Sequence, residues 1–222
     1  MIDTAIFIPA QEMNQYHQLG DLAPFGDTTL LNWKISQCKE FVSPEQIFIS
    51  SSSSKIKKIV DKEGVNFITR ESNETKIANQ LEYFAKNIDF QRILWTNVTS
   101  PFLGSTDYQS MLKQFSSHKN CKLMISTIEK KEYTFYDNQK LNFQEIAPRE
   151  TLKPINICTN GAYLIDKKSL LESKEIQHIK DICFYNLDSI SAMEIKDIDS
   201  YSTALNLISI YFSRVFGDKD FA

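Results

Sequence analysis

The sequence predicts an α/β protein built on a doubly wound, mainly parallel β-sheet. Between residues 5 and 127, five short apolar runs alternate with segments that carry apolar residues at helical spacing. The first run, AIFIP, is apolar throughout, as expected of a buried strand. In such sheets ligands bind outside the carboxyl ends of the strands. The loops that follow the strands are therefore where a site is expected.

The other strands of this alternation are predicted at residues 46–50, 65–68, 92–96 and 122–127. The first helix follows Asp27 or Thr28, either of which can cap it. The second helix is KIKKIVDKEG, which ends at Gly64. The third and fourth helices are predicted at residues 75–87 and 106–117.

The pattern changes between residues 129 and 159. The stretch YTFYDNQKLNF has the pattern of a β-hairpin with Asp137 and Asn138 at its turn. NGAYLID then predicts a strand, followed by a helix near residues 167–173 and a strand in DICFYNL. SAMEIKDIDSYSTALNLISIYF predicts a strand that runs into a C-terminal helix. We expect one domain, residues 1–222, with 129–159 as an excursion that is either a dimerisation arm or a surface flap.

Composition excludes several classes of protein. Of the 222 residues, 42% are hydrophobic, which is enough for a substantial core. A net charge of −3 gives no electrostatic basis for a nucleic-acid partner. No apolar run reaches the length of a membrane span, and the N-terminus lacks the pattern of a signal peptide. The four scattered cysteines predict free thiols in a reducing compartment, so a cytoplasmic protein is expected.

Three short motifs follow one another along the chain. They are IPA at the end of the first strand, TSP after the fourth strand, and NGA after the excursion. In this order they resemble the acylneuraminate cytidylyltransferase family, the CMP-sialic acid synthetases. The resemblance implies a three-layer, Rossmann-like nucleotide-diphosphosugar transferase fold. It also implies transfer of CMP from CTP to a sugar acid, with release of pyrophosphate, a Mg²⁺ cofactor and a homodimer.

The same resemblance implies roles for individual residues. They are catalysis by Gln15 and Arg70; nucleotide binding by Pro9, Ala10, Gln11, Asn14, Asp21, Asn97, Thr99 and Ser100; acceptor binding by Asn160 and Arg149; and metal binding by Glu194 and Asp197. Structural alternatives stay open for several of them. Arg70 can instead form a salt bridge with Glu71, and Asp197 can cap the last helix. Asn160 can form a turn, and Arg149 can contact a second subunit.

The loop after the first strand departs from the family. The family pattern R-G-G-S-K-G-x-P-x-K-N aligns without a gap onto residues 11–21. All three cations and all three glycines of the pattern are replaced in this chain. Glu12 and Asp21 add acids instead. Loss of three cations should weaken triphosphate binding by several kcal/mol, if each pair contributes roughly 1.5–3 kcal/mol. Lys196 likewise stands where the family has an aspartate; it can contact a phosphate or simply be solvated.

Three functions remain open at this point. The chain can be a divergent cytidylyltransferase, or a non-catalytic relative that binds a nucleotide or a partner subunit. It can also be an interaction subunit without any ligand. The family resemblance favours the first function, whereas the chemistry of the loop at residues 11–21 favours the second.

Overall fold

A seven-stranded sheet forms the centre of the structure, a computed structural model that describes residues 3–70 and 77–217. The strands of this sheet and of two short ribbons are, in chain order, β1 (Thr4–Pro9), β2 (Pro24–Phe25), β3 (Thr28–Thr29), β4 (Ile47–Ser51), β5 (Asn66–Thr69), β6 (Arg92–Thr96), β7 (Leu123–Lys130), β8 (Phe135–Tyr136), β9 (Gln139–Lys140), β10 (Ile155–Asp166) and β11 (Ile182–Asn186). The helices are α1 (Leu30–Lys39), α2 (Ser54–Glu63), α3 (Ile77–Lys86), α4 (Ser105–Ser117), α5 (Lys167–Ser173) and α6 (Ile198–Gly217).

The strand order places a crossover beside β1. The sheet runs β11-β7-β10-β6-β1-β4-β5, and β1 is parallel to both of its neighbours, β4 and β6. The chain therefore builds outward through β4 and β5, then returns to the other side of β1 for β6. Only β10 is antiparallel to its neighbours among the described strands of this sheet. The predicted mainly parallel α/β fold is confirmed, and the crossover is where such sheets bind ligands.

The core has two layers, one on each face of the sheet. Ile6 and Ile8 of β1 face the layer that contains α1 and α4, whereas Ala5 and Phe7 face the layer that contains α3 and α5. All four side chains are buried. Because side chains alternate along a strand, a strand covered on both faces must be apolar at every position. This explains why the run AIFIP predicts a central strand.

Helix α2 ends at the predicted residue, whereas α1 begins later than predicted. Ser53 caps α2, and Gly64 ends it in the left-handed conformation with φ of 67°. At α1 the cap is Thr29 rather than Asp27 or Thr28, and its side chain accepts from Asn32 N. The helix starts later than predicted because residues 28–29 first pair with residues 24–25 as a ribbon. The predicted start of α3 at residues 75–76 lies outside the described residues.

In the second half of the chain, one predicted element is confirmed and one is wrong. The hairpin is confirmed, with Asp137 and Asn138 at positive φ as a tight turn requires. The strand predicted in SAMEIKDI is wrong: after a turn, residues 193–196 run in irregular backbone, and Ile195 N donates to the carbonyl of Thr99, 2.8 Å away. That long-range hydrogen bond ties this segment to the end of β6 without extending the sheet.

The cysteines also differ from the prediction. Cys121 and Cys183 are paired as a disulfide, so the prediction that all four are free thiols is wrong for this pair. Cys121 lies two residues before β7 and Cys183 lies in β11, and the pairing of these two strands brings together two residues 62 positions apart. Cys38 is buried and free, and Cys158 is free and exposed. The cytoplasmic location stays a prediction. Within the described ranges, no helix is both long and apolar enough to span a bilayer.

Candidate functional site

A cavity of about 660 Å³ opens at the carboxyl edge of the sheet, beside the crossover. It lies among the loops that follow β1, β4, β5 and β6. Its lining residues are Pro9, Gln11, Glu12, Met13, Asn14, Asp21, Ser52, Ser53, Arg70, Gln80, Asn97, Val98 and Thr99. The cavity therefore unites predicted site residues from three separate loops, since parallel strands place their carboxyl ends at one edge.

The loop between β1 and α1 closes around its own carboxylate. Asp21 is buried, and its two oxygens accept from Gln11 N at 2.7 Å and from the Tyr16 hydroxyl at 2.5 Å. In return, Asp21 N donates to the carbonyl of Gln11 at 2.9 Å. A loop that binds phosphate directs its donors at the ligand, whereas these donors serve an anion of the chain itself.

Arg70 faces this buried carboxylate. Burial raises the pKa of Asp21 to about 6, and Tyr16, the Gln11 N–H and the charge of Arg70 oppose that rise. Burial lowers the pKa of Arg70, which the charge of Asp21 opposes, and Arg70 Nη2 donates to the carbonyl of Ala10 at 3.3 Å. Among the described residues that line the cavity, Arg70 is the sole cation. The alternative partner Glu71 lies outside the described residues.

Gly20 supports this closed path of the loop. Its φ is 52°, and a Cβ at this position would lie 2.5 Å from the carbonyl oxygen of Gln11. Two other backbone atoms of the loop would lie at 2.7 Å. No side chain fits at such distances, so only glycine allows the two ends of the loop to pack together. The glycine serves the internal packing of the loop.

Glu12 is the second acid of the cavity, and sequence analysis did not assign it a role. One of its oxygens accepts from the Ser53 hydroxyl at 2.5 Å, and the other forms an ion pair with Lys55 Nζ at 2.5 Å. The hydrogen bonds from these two side chains lower the pKa of Glu12. The contact joins the β1 loop to the start of α2, on the opposite side of the cavity mouth.

A buried lysine holds the loop that follows β6. Lys34 Nζ donates to the carbonyls of Ser100 and Leu103 at 2.8 and 2.6 Å, and lies 3.0 Å from the Tyr108 hydroxyl. Burial lowers its pKa to about 8. Lys34 is not among the site residues predicted from the sequence, although a signal exists. Lys34 lies three residues after Leu31, on the face of α1 that is otherwise apolar.

The described site residues on the β6 side have partners within the protein. Asn97 Nδ2 donates to the carbonyl of Asn160 at 2.6 Å, and its Oδ1 accepts from Trp95 Nε1 at 3.0 Å. Asn97 thus lines the cavity while bracing β6 against β10. Asn160 has φ of 53° and accepts from the Tyr163 hydroxyl at 2.7 Å. Asn160 lies within β10, where the pairing with β7 shifts register between Cys158 and Tyr163, and its positive φ belongs to this irregularity of the strand.

Several predicted site residues do not line the cavity. Ala10 and Ser100 are buried beneath it. The exposed Gln15 follows Asn14 in the loop, and its N–H donates to the Asn14 Oδ1 at 3.0 Å. Arg149 lies in the excursion, where it forms an exposed ion pair with Glu132 at 3.2 Å. The catalytic role of Gln15 and the acceptor role of Arg149 stay predictions.

The predicted magnesium ligands are engaged elsewhere. Glu194 Oε2 lies 3.3 Å from Lys196 Nζ. Asp197 caps α6, because its Oδ1 accepts from Ser200 N at 2.8 Å and from the Ser200 hydroxyl at 2.7 Å. In residues 3–70 and 77–217, no group of three His, Cys, Asp or Glu residues could hold a metal ion. These residues therefore do not fit a ready-made Mg²⁺ site, and the cofactor stays a prediction.

Comparison with solved structures identifies the fold. The CMP:2-keto-3-deoxy-manno-octonic acid synthetase complexed with CTP has a TM-score of 0.72 at 9% identity, over 94% of this chain and 99% of that one. The 4-diphosphocytidyl-2C-methyl-D-erythritol synthase of Anaerococcus prevotii has a TM-score of 0.69 at 13% identity, over 93% and 98%. A cytidylyltransferase of Leptospira borgpetersenii has 0.66 at 17%, over 95% and 88%.

Comparison of the sequence identifies the family. No curated protein matches this chain significantly. The model of the family described as cytidylyltransferase matches residues 21–155, which is more than half of the chain. The match begins at Asp21, the last residue of the loop that closes around this carboxylate. On this match, the chain belongs to the cytidylyltransferase family.

Proposed function

We propose that the chain is a divergent cytidylyltransferase of the acylneuraminate type, which transfers CMP from CTP to a hydroxyl group of a sugar acid or related acceptor and releases pyrophosphate. One observation carries this proposal. The cavity of about 660 Å³ lies at the crossover of a cytidylyltransferase sheet and has a cation, Arg70, in its wall. A structural relative with TM-score 0.72 is a synthetase complexed with CTP, which supports the choice of nucleotide.

The side chains that line the cavity can take different roles in the proposed reaction. The guanidinium of Arg70 is the group that can neutralise charge on a phosphate as the bond to pyrophosphate breaks. The exposed amides of Gln11 and Asn14 can donate hydrogen bonds to phosphate oxygens, but they cannot neutralise them. Transfer of CMP depends mostly on positioning and charge neutralisation. With so few cations, this cavity should bind CTP weakly unless Mg²⁺ accompanies the nucleotide.

A second function is favoured by the acids of the cavity. Asp21 already faces Arg70, and Glu12 already engages Ser53 and Lys55. A chain with these contacts can bind a nucleotide, or a partner subunit, without transferring CMP. The two functions differ in whether pyrophosphate is released.

Thermal unfolding with CTP, CDP and CMP, each with and without Mg²⁺, tests nucleotide binding. A ligand at 100 times its Kd stabilises the folded state by about 2.7 kcal/mol. We expect a shift with CTP that requires Mg²⁺ and disappears in Arg70→Ala. Arg92→Ala is the matched control, since Arg92 begins β6 at the opposite edge of the sheet. Absence of any shift in the wild type would overturn both functions that bind a nucleotide and leave the binding of a partner subunit.

Release of pyrophosphate separates the enzyme from the binding protein. Each of a panel of sugar acids is incubated with the protein, CTP and Mg²⁺, and pyrophosphate is measured. We expect release with at least one acceptor. Stabilisation by CTP without release in the presence of any acceptor would favour the non-catalytic function.

We also propose that the protein is a homodimer through its excursion. Ile146, Tyr136 and Leu141 of this segment are 88%, 76% and 60% exposed, an unusual density of apolar side chains on a monomer surface. Sedimentation measures the mass directly, and Ile146→Glu should shift a dimer toward the monomer. A monomeric wild type would favour the surface flap instead.

A further inference from the structure

The two acids of the cavity are held in different ways. Asp21 is buried and fixed by Gln11 N and the Tyr16 hydroxyl within its own loop. Glu12 has 34% of its side chain exposed and is held by side chains of another element, Ser53 and Lys55. Asp21 therefore cannot leave without unfolding the loop, whereas Glu12 can rotate away into solvent at small cost.

Lys55 is a cation that lies just beyond the cavity wall. Its side chain is 67% exposed, and its ammonium forms the ion pair with Glu12. Ser53, which lines the cavity, directs its hydroxyl proton to the same carboxylate. A carboxylate thus occupies two donors that a phosphate group would also use, since phosphate oxygens accept from ammonium and hydroxyl groups.

We propose that Glu12 is a specificity-determining residue of this site, an internal anion that competes with nucleotide phosphates for Lys55 and Ser53. This inference rests on the proposed binding of cytidine nucleotides. When Glu12 is displaced, the Lys55 ammonium and the Ser53 hydroxyl become available to a ligand in the cavity. The resulting gain in affinity is largest for the ligand with the most phosphate charge. Glu12 therefore lowers the affinity for CTP and for pyrophosphate more than the affinity for CMP.

The experiment is calorimetric titration of the whole chain with CTP, CMP and inorganic pyrophosphate. We expect Glu12→Gln to raise the affinity for CTP by about two- to fivefold, the range of an exposed ion pair whose cation is released. The affinity for CMP should rise less. In a Lys55→Met background, Glu12→Gln should have little further effect, because the released cation is missing.

Glu63→Gln is the matched control. Glu63 also belongs to a partly exposed ion pair of α2, with Lys39 at 2.6 Å, but it lies at the far end of that helix. Equal gains from Glu12→Gln and Glu63→Gln would overturn the inference, since net charge alone would then explain them. So would unchanged affinities for CTP and pyrophosphate in Glu12→Gln. CTP can fail to bind any variant while pyrophosphate binds Glu12→Gln more tightly than the wild type. That result would support competition between Glu12 and phosphate groups and would overturn the proposed binding of CTP.

Discussion

The buried Lys34 should make the stability of the fold rise with pH in the alkaline range. Burial lowers its pKa from the usual 10.5 to about 8. The folded state therefore bears the cost of a buried charge below pH 8, and that cost is relieved as the pH rises from 8 toward 10.5. The neighbouring Cys38 acts in the opposite direction. Burial raises its pKa from 9.0 to about 12, so the unfolded state is favoured as its thiol ionises above pH 9.

The two contributions can be calculated between pH 7 and pH 9. Proton linkage gives a rise of about 1 kcal/mol in the free energy of unfolding from Lys34. It gives a smaller fall from Cys38 over the same interval, because pH 9 only reaches the ordinary pKa of that thiol. The wild type should therefore gain stability between pH 7 and pH 9, and a Cys38→Ala variant should gain more.

Urea denaturation at pH 7 and pH 9 measures these changes, given two-state unfolding. The decisive comparison is Cys38→Ala against Cys38→Ala with Lys34→Met, because other titrating groups contribute equally to both. We expect the difference between the two proteins to change by about 1 kcal/mol over the interval. The same pH dependence in both proteins would refute the assignment of a buried charge to Lys34.

Three further variants test the loops around the cavity, each by urea denaturation. Gly20→Ala should cost at least about 1–3 kcal/mol, since φ is positive and backbone lies 2.5 Å from the new Cβ. Gly64→Ala, which has a similar φ but nothing within 4 Å, should cost clearly less; equal costs would exclude the clash. Gly161→Ala should cost about 1–3 kcal/mol, because the nearest side-chain carbon lies at 2.8 Å. Tyr16→Phe should cost about 1–3 kcal/mol, less at pH 5 than at pH 7, since Asp21 protonates with a pKa near 6; equal losses would contradict this.

The central strands β1, β4 and β6 could be predicted from sequence because they are buried in a sheet covered on both faces. Such strands must be apolar at successive positions, and that pattern is local. The bounds of β6, residues 92–96, agree with the prediction, and those of β1 and β4 differ by one residue. The strand wrongly predicted at SAMEIKDI shows the limit of this reasoning. Its backbone is held by Thr99, almost a hundred residues earlier, and no local pattern encodes that contact.

The place of the cavity could be predicted from sequence, but not its detail. The edge of the sheet follows from the strand order, and Gln11, Arg70 and Asn97 line the cavity there, while their roles stay predictions. Which loop residue points inward depends on how the loop folds on itself. Glu12 lines the cavity and Gln15 does not, because the loop closes on Asp21.

The family match starts at residue 21. This boundary separates residues constrained by packing of the core from loop residues constrained by the charge of the ligand. Residues 21–155 contain β4, β5, β6 and β7, four of the seven strands of the sheet, and burial of apolar area keeps their pattern recognisable whatever the ligand. The loop at residues 11–20 contributes few side chains to that core. Its residues are therefore constrained mainly by the charge of the ligand that enters the cavity. Here the loop supplies two acids: Asp21, whose charge acts on that of Arg70, and Glu12, which forms an ion pair with Lys55. Family membership therefore supports the fold and the class of nucleotide, while the competition of these acids decides how many phosphates the cavity accepts.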